Sequence, residues 1–257
     1  MTFPTLTAVR LHVEEHGSGP PTLVLLHGLS ANGAVWGPLV ERLRPRFAGR
    51  IVVPDLRGHG RSPHATQYGY GQHAADVAAF LAPGEPIHVI GHSMGAAIGL
   101  VLASGWFGVE ARGVLGFGMR VTWTPEDLAK LATLARAPVR WFDTRAAAAE
   151  RFLRVSGLDK LLAPDSPVVD AGLVAEGGRW RLAAHAATAA AAGPPIEGIV
   201  AAARSRVVLA CGSEDALVRI DELRRLAPDA LELAGLGHNL QVEDPDALVR
   251  VIEQRLL

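Results

Sequence analysis

Short apolar runs alternate with longer helix-like stretches along most of this chain. The apolar runs are rich in Val, Ile and Leu and cover residues 22–26, 51–53, 87–90, 113–115, 207–210 and 230–233. The helix-like stretches cover residues 36–43, 72–81, 93–104, 219–227 and 245–257. This alternation predicts an α/β fold, with a mostly parallel sheet and helices on both faces. Residues 6–16 instead alternate polar and apolar, which predicts one or two half-exposed strands at an antiparallel edge.

The alternation stops between residues 120 and 195, where helical patterns separated by Pro and Gly are the only ones that occur. A segment of this length is too long for a loop in a compact domain, so we predict a helical cap there. The predicted core is then residues 1–119 and 196–257, and the Gly193, Pro194, Pro195 cluster returns the chain to it. The segment also contains aromatic candidates for a substrate pocket, namely Trp123, Trp141, Phe142 and Trp180.

Composition and charge restrict the possible partners of the chain. Of its 257 residues, 49% are hydrophobic and 20% are charged, which is a globular composition. The formal net charge is -1 and no block of like charge occurs, so we expect no nucleic-acid partner. No signal peptide and no long uninterrupted apolar stretch is visible, so we expect a cytoplasmic protein with no membrane partner. The sequence carries no indication of an oligomeric state.

Cofactor and metal sites are not expected either. Cys211 is the single cysteine, which excludes an intrachain disulfide and a cysteine-based metal cluster. The chain has no phosphate-binding GxxxxGK loop and no HExxH zinc helix. We therefore expect neither a cofactor nor a metal, and a small molecule as the partner.

The first catalytic candidate is Ser93, within the pattern Gly91, His92, Ser93, Met94, Gly95. This pattern follows a predicted strand and precedes a predicted helix. A GxSxG in that context predicts a sharp turn that exposes the serine hydroxyl at the end of the sheet. Ser93 would then lie at a helix N-terminus, which favours developing negative charge.

A serine hydroxyl becomes a good nucleophile when a base takes its proton and a third group orients that base. His238 lies in a glycine-rich loop after the last predicted strand, and Asp215 lies in the loop after the preceding strand. Parallel strands place both loops at the edge where Ser93 lies. We predict His238 as the base and Asp215 as the orienting acid, with Glu214 as the alternative acid.

Acyl transfer also requires two N–H donors for the negative charge that develops on the carbonyl oxygen. One donor should be the amide of Met94, the residue after the nucleophile. The other should come from the loop after residues 22–26, and we assign the amide of Leu29. His27 precedes that loop, and its side chain is expected to brace it, with a catalytic role as the alternative.

These motifs together resemble the α/β-hydrolase superfamily over nearly the whole chain. The resemblance rests on His27 and Gly28, on residues 55–62, on Gly91 to Gly95, on Gly212 to Asp215, and on Gly237 with His238. It implies a mostly parallel eight-stranded sheet with a cap inserted after the sixth strand, where residues 120–195 fall. Ser93 stands where haloalkane dehalogenases and epoxide hydrolases of this fold have an aspartate, so those activities are disfavoured.

The expected function is therefore hydrolysis of a carboxylic ester or thioester of a small to medium, largely apolar substrate, through an acyl-enzyme on Ser93. Hydrolysis of a carbon–carbon bond or a lactone, or a cofactor-free lyase reaction, would use the same triad. A non-catalytic ligand receptor on this fold is the alternative of a different class. His185, within the predicted cap, is an open candidate for the pocket.

Overall fold

A computed structural model describes residues 8–191 and 195–257 of the chain. Its strands are β1 (Val13–His16), β2 (Thr22–Leu26), β3 (Arg50–Pro54), β4 (Pro86–His92), β5 (Glu110–Phe117), β6 (Leu173–Glu176), β7 (Arg179–Leu182), β8 (Arg206–Gly212) and β9 (Leu231–Leu233). Its helices are α1 (Gly37–Leu43), α2 (Tyr70–Ala78), α3 (Met94–Ala103), α4 (Pro125–Ala135), α5 (Arg145–Ser156), α6 (Pro167–Ala171), α7 (Ile196–Ala202), α8 (Ile220–Leu226), α9 (Leu240–Glu243) and α10 (Pro245–Arg255). The predicted strands and core helices are present, with ends shifted by a few residues.

The main sheet has the strand order β1-β3-β2-β4-β5-β8-β9. β1 pairs with β3 antiparallel, and every other neighbouring pair is parallel, which confirms the mostly parallel sheet. The described residues contribute seven strands to this sheet instead of the eight expected. Before β1, backbone amides donate hydrogen bonds to side chains and not to a neighbouring strand. The amide of Val9 donates to Asp76, and the amide of His12 donates to Ser62. The first part of the predicted edge, residues 6 and 7, lies outside the described residues.

Helices cover both faces of the sheet because its central strands are apolar on both sides. In β2, Val24 and Leu26 pack into one buried cluster with α2 and α3, while Leu23 and Leu25 pack into a second cluster with α1 and α10. Successive side chains of a strand point to opposite faces, so one short apolar run supplies both clusters. The three-layer α/β arrangement was therefore correctly predicted.

The inserted segment, residues 120–195, joins β5 to α7 and contributes no strand to the main sheet within its described part. It contains α4, α5 and α6, and also the antiparallel pair β6–β7, so the expectation of purely helical structure is wrong. The reason lies in the turn: Gly177 and Gly178 have φ of 57° and 76°, and two consecutive positive-φ glycines favour a tight hairpin. Gly193 and Pro194, predicted to end the segment, lie outside the described residues. The division into core and cap stays a prediction.

The helices are too short or too polar to cross a bilayer: none in the described residues has an apolar stretch of the length that a membrane requires.

Candidate active site

Ser93 occupies a strained turn between β4 and α3. Its φ is 51° and its ψ is -114°, a backbone conformation that a residue with a side chain adopts only at a cost of roughly 1–3 kcal/mol. The flanking glycines leave the space for the turn. A Cβ on Gly91 would lie 2.4 Å from the carbonyl oxygen of Gly95, and a Cβ on Gly95 would lie 2.1 Å from that of Leu26. The GxSxG pattern is thus explained by close packing of Gly91 against the first turn of α3 and of Gly95 against β2.

The acid and the base are adjacent. Nδ1 of His238 lies 2.8 Å from Oδ2 of Asp215, whose side chain is fully buried. The other oxygen of this carboxylate accepts a hydrogen bond of 2.8 Å from the amide of Leu217. A proton on Nδ1, donated to the carboxylate, leaves Nε2 of His238 without a proton and able to accept one.

The topology of the sheet explains how these groups meet. Ser93 follows β4, Asp215 follows β8, and His238 follows β9, and these strands are parallel. Their carboxyl ends therefore share one edge of the sheet. Ser93 and His238 line the same cavity of about 370 Å³ at this edge, while Asp215 is buried behind the imidazole.

Both predicted oxyanion donors border that cavity as well. Leu29 lies on the loop after β2, and Met94 is the first residue of α3. Within the described residues, neither amide donates a hydrogen bond to another group of the protein. Two unpaired N–H groups beside the same cavity as a serine are suited to hold a negatively charged oxygen.

Two buried histidines brace the loop that carries Leu29. Nε2 of His27 accepts a hydrogen bond of 3.0 Å from the amide of Leu56, and its Nδ1 lies 2.8 Å from the carbonyl oxygen of Gly28. Nε2 of His59 accepts one of 3.2 Å from the amide of Ser30. Burial lowers the pKa of His27 to about 4 and that of His59 to about 3, so both rings are neutral at physiological pH.

His59 was missed as a contributor to the site, although it belongs to the segment of residues 55–62 whose resemblance was noted. Its position in the chain is far from Leu29, and contact between β2 and β3 is what brings the two loops together.

His92 also contacts the site in the structure. Its ring lies edge-on to that of His238 with 4.7 Å between centroids, and burial lowers the pKa of His92 well below its usual value.

The aromatic candidates of the inserted segment divide into two groups. Trp123 lines the cavity that contains Ser93, and Phe142 lines a second cavity next to it. Trp141 and Trp180, predicted to line the pocket, line neither of these cavities. The guanidinium of Arg179 lies 5.2 Å from the centre of the Trp141 ring, and the backbone of Trp180 is hydrogen-bonded to that of Phe142.

The two open candidates have different positions. Glu214 is exposed, and its backbone amide binds the carbonyl oxygen of Leu236, so Asp215 is the acid that contacts His238. His185 lines the second cavity and does not border Ser93. The described residues contain no cluster of three or more metal-binding side chains.

Comparison with known proteins gives matches that span most of the chain. The family model described as "Alpha/beta hydrolase family" matches residues 23–251. Among solved structures, that of E-2-(acetamidomethylene)succinate hydrolase superposes with a TM-score of 0.77 and 25% sequence identity, over 98% of this chain and 96% of the other.

Curated relatives match shorter stretches. Lipase LipV of Mycobacterium tuberculosis is 38% identical over 99 residues, which are 37% of this chain and 37% of the relative. The pimeloyl-[acyl-carrier protein] methyl ester esterase of Vibrio vulnificus is 56% identical over 54 residues, 21% of this chain and 20% of the relative. These matches therefore span well under half of each relative's length.

Proposed function

The chain belongs to the alpha/beta hydrolase family, and from this premise we propose that it is a serine hydrolase that cleaves a carboxylic ester or thioester through an acyl-enzyme on Ser93. One observation carries the proposal. Ser93, on the strained turn, lines the same cavity as the imidazole of His238, and Nδ1 of that imidazole contacts the buried carboxylate of Asp215. A turn without a catalytic role would have no need of these two groups.

In the proposed cycle, Oγ of Ser93 attacks the carbonyl carbon of the substrate while Nε2 of His238 takes the hydroxyl proton. The amides of Leu29 and Met94 donate hydrogen bonds to the resulting oxyanion. His238 then gives its proton to the alcohol or thiol that leaves. Water, deprotonated by the same nitrogen, attacks the acyl-enzyme and releases the acid and Ser93. Asp215 keeps the imidazole in the required tautomer and stabilises it when it is protonated.

The substrate that we propose has a small to medium, largely apolar part next to the reacting carbonyl. This proposal is supported by the size of the inner cavity, about 370 Å³, and by its mostly apolar wall, which includes Leu29, Met94, Met119, Trp123, Val155 and Leu217. An ester is also supported by the relative named as a methyl ester esterase. A cap formed by residues 120–195 would supply Trp123 and Val155 to that wall.

The test uses p-nitrophenyl esters from acetate to decanoate with the wild type and with Ser93→Ala. The control is Ser18→Ala, which changes an exposed serine that is far from Ser93 in the sequence. We expect activity to rise from acetate to medium-length chains, because longer chains bury more apolar surface. Ser93→Ala should lose several orders of magnitude in kcat, and Ser18→Ala should match the wild type.

A fluorophosphonate probe separates this proposal from a non-catalytic receptor. We expect the probe to form a bond with Ser93 in the wild type, located by peptide mass spectrometry, and no bond in Ser93→Ala. Failure to label the folded wild type, or hydrolysis retained by Ser93→Ala, would contradict the proposal.

A further inference from the structure

A second cavity of about 530 Å³ lies next to the one that contains Ser93. Leu29, Val155 and Thr188 border both cavities. Leu29 is also the residue whose amide is the proposed oxyanion donor. These three residues therefore mark the boundary between the two spaces, and we call the second one the outer cavity.

The wall of the outer cavity carries positive charge without negative charge. Arg140, Arg151 and Arg181 line it, and no Asp or Glu does. The three arginines come from separate elements: the loop after α4, helix α5 and strand β7. Their convergence therefore depends on how the inserted segment packs and cannot follow from one charged helix face.

Carboxylates of the protein leave these arginines largely unpaired. In the described part of the chain, Arg140 and Arg151 form no ion pair, and the guanidinium of Arg140 rests 4.9 Å from the centre of the Phe142 ring. Arg181 has a distant contact of 3.7 Å with Glu176, an exposed residue at the hairpin. Three other arginines of the segment have partners, since Arg145 pairs with Asp170, Arg120 with Asp127 and Arg154 with Glu150, whereas Arg136 and Arg179 form no ion pair in the described residues.

Most of the remaining wall is apolar, with Leu134, Pro138, Val139 and Leu182 among its residues. The positive charge also acts on a neighbour: burial lowers the pKa of His185, and the charges of His64 and Arg181 lower it further. Arg140 is exposed, whereas Arg151 and Arg181 are half-buried, and an ion pair formed at a half-buried arginine is screened less by solvent than one on an open surface.

We propose that the outer cavity binds the anionic far end of an extended substrate, a carboxylate or phosphate group joined by an apolar chain to the ester at Ser93. This inference rests on the proposed function and specifies its substrate class. The apolar stem lies along the inner cavity and the junction at Leu29, Val155 and Thr188. The anionic group is held by Arg140 and Arg151, which form no ion pair in the described part of the chain, while Glu176 offsets the charge of Arg181.

The first experiment compares charged and neutral substrates of equal length. Monomethyl esters of diacids from succinate to sebacate are compared with the corresponding dimethyl esters, and acetate esters of hydroxyalkyl phosphates with acetates of the plain alcohols. The two series distinguish a carboxylate on the acyl side from a phosphate on the alcohol side. At the chain length that spans both cavities, we expect kcat/KM to be at least about tenfold higher for the charged ester than for the neutral one. A tenfold ratio is what one charge-assisted hydrogen bond can supply.

Variants assign this preference to the arginines. In the double variant Arg140→Gln, Arg151→Gln the ratio of charged to neutral kcat/KM should fall close to one. Arg151→Lys should keep most of the ratio because it keeps the charge. The matched control is Arg136→Gln, an exposed arginine of the same segment that lines neither cavity. If the double variant does not fold, the comparison of Arg151→Gln with Arg151→Lys decides.

Calorimetric binding separates this inference from the proposed catalysis. Ser93→Ala should bind the charged ester about tenfold more tightly than the neutral one, and addition of the double substitution should abolish the difference. If the wild type neither hydrolysed the neutral esters nor reacted with the fluorophosphonate, the catalytic proposal would be contradicted and the anion site would not. The anion site would be overturned if neither ester series and no binding measurement showed a preference for the charged compound. It would also be overturned if the preference survived in the variant that lacks both Arg140 and Arg151.

Discussion

Asp215 and Glu214 are neighbours in the chain but have different environments. The carboxylate of Asp215 is buried against Nδ1 of His238, whereas Glu214 is exposed to solvent. The direction of each side chain is determined by the backbone of the loop after β8, where the amide of Glu214 binds the carbonyl oxygen of Leu236 and the amide of Leu217 binds Asp215. A buried carboxylate is stabilised by such hydrogen bonds and in turn holds the imidazole.

The prediction at this scale compares Asp215→Asn with Glu214→Gln. In Asp215→Asn the amide cannot hold the proton on Nδ1 of His238, so the favoured tautomer changes and Nε2 no longer accepts the serine proton. We expect kcat to fall by about four orders of magnitude. Glu214→Gln should stay close to the wild type. Comparable losses in the two variants, measured with a p-nitrophenyl ester, would refute the distinction between them.

Helix α3 approaches β2 unusually closely at its first turn. Gly95 makes this approach possible, since a Cβ there would lie 2.1 Å from the carbonyl oxygen of Leu26. The same approach directs the N-terminus of α3, with the amide of Met94, toward the cavity. The geometry of the nucleophile turn is thus coupled to the packing of an element on the sheet.

The prediction for this element is that Gly95→Ala destabilises the protein, because either α3 or β2 must shift to admit the methyl group. Overpacking of this kind costs about 1–3 kcal/mol in the free energy of unfolding, measured by urea denaturation. The matched control is Gly198→Ala in α7, where a Cβ would meet no atom within 4 Å. That variant should be neutral or more stable by up to about 1 kcal/mol, because Ala favours helix. Equal effects of the two substitutions would refute the steric explanation.

Several polar side chains are buried near the carboxyl edge of the sheet, whose central strands are mostly apolar. One consequence is a set of buried neutral histidines beneath the site, namely His27, His59, His73 and His92. Burial lowers the pKa of each, to about 4 for His27, to about 3 for His59, and well below the usual value for the other two. Folding therefore requires these rings to be uncharged.

The prediction for the whole molecule is a loss of stability in mild acid. Below about pH 6.5 the unfolded chain binds protons on these histidines that the folded chain does not bind, so the free energy of unfolding falls as pH falls toward 4. Each such histidine contributes a slope of about 1.4 kcal/mol per pH unit. Above pH 6.5 this contribution to stability is fully present.

The test for this pH dependence is His73→Leu, which removes one buried imidazole. Urea unfolding at about pH 7.5 and about pH 4.5 should show a smaller drop in stability for the variant than for the wild type. The comparison of drops is independent of any change in stability that the substitution causes at neutral pH. An equal drop in both proteins would refute the assignment for His73.

The sequence by itself determined the order of strands and helices, the sharp turn at Ser93 and the edge of the sheet where the candidate residues lie. These features follow from local chemistry, because apolar runs specify buried strands and glycines around a serine specify a tight turn. In the core, the errors were small: the ends of elements, and one strand fewer than the eight expected among the described residues.

Only the tertiary structure decided the rest. It placed Asp215 and not Glu214 against His238, and it formed the β6–β7 hairpin in a segment expected to be helical. It also placed Trp123 and Phe142, but not Trp141 and Trp180, in the wall of a cavity. It also brought arginines of three elements around one cavity. Such choices depend on contacts between residues far apart in the chain and on the direction of each side chain, which local patterns of polarity do not contain.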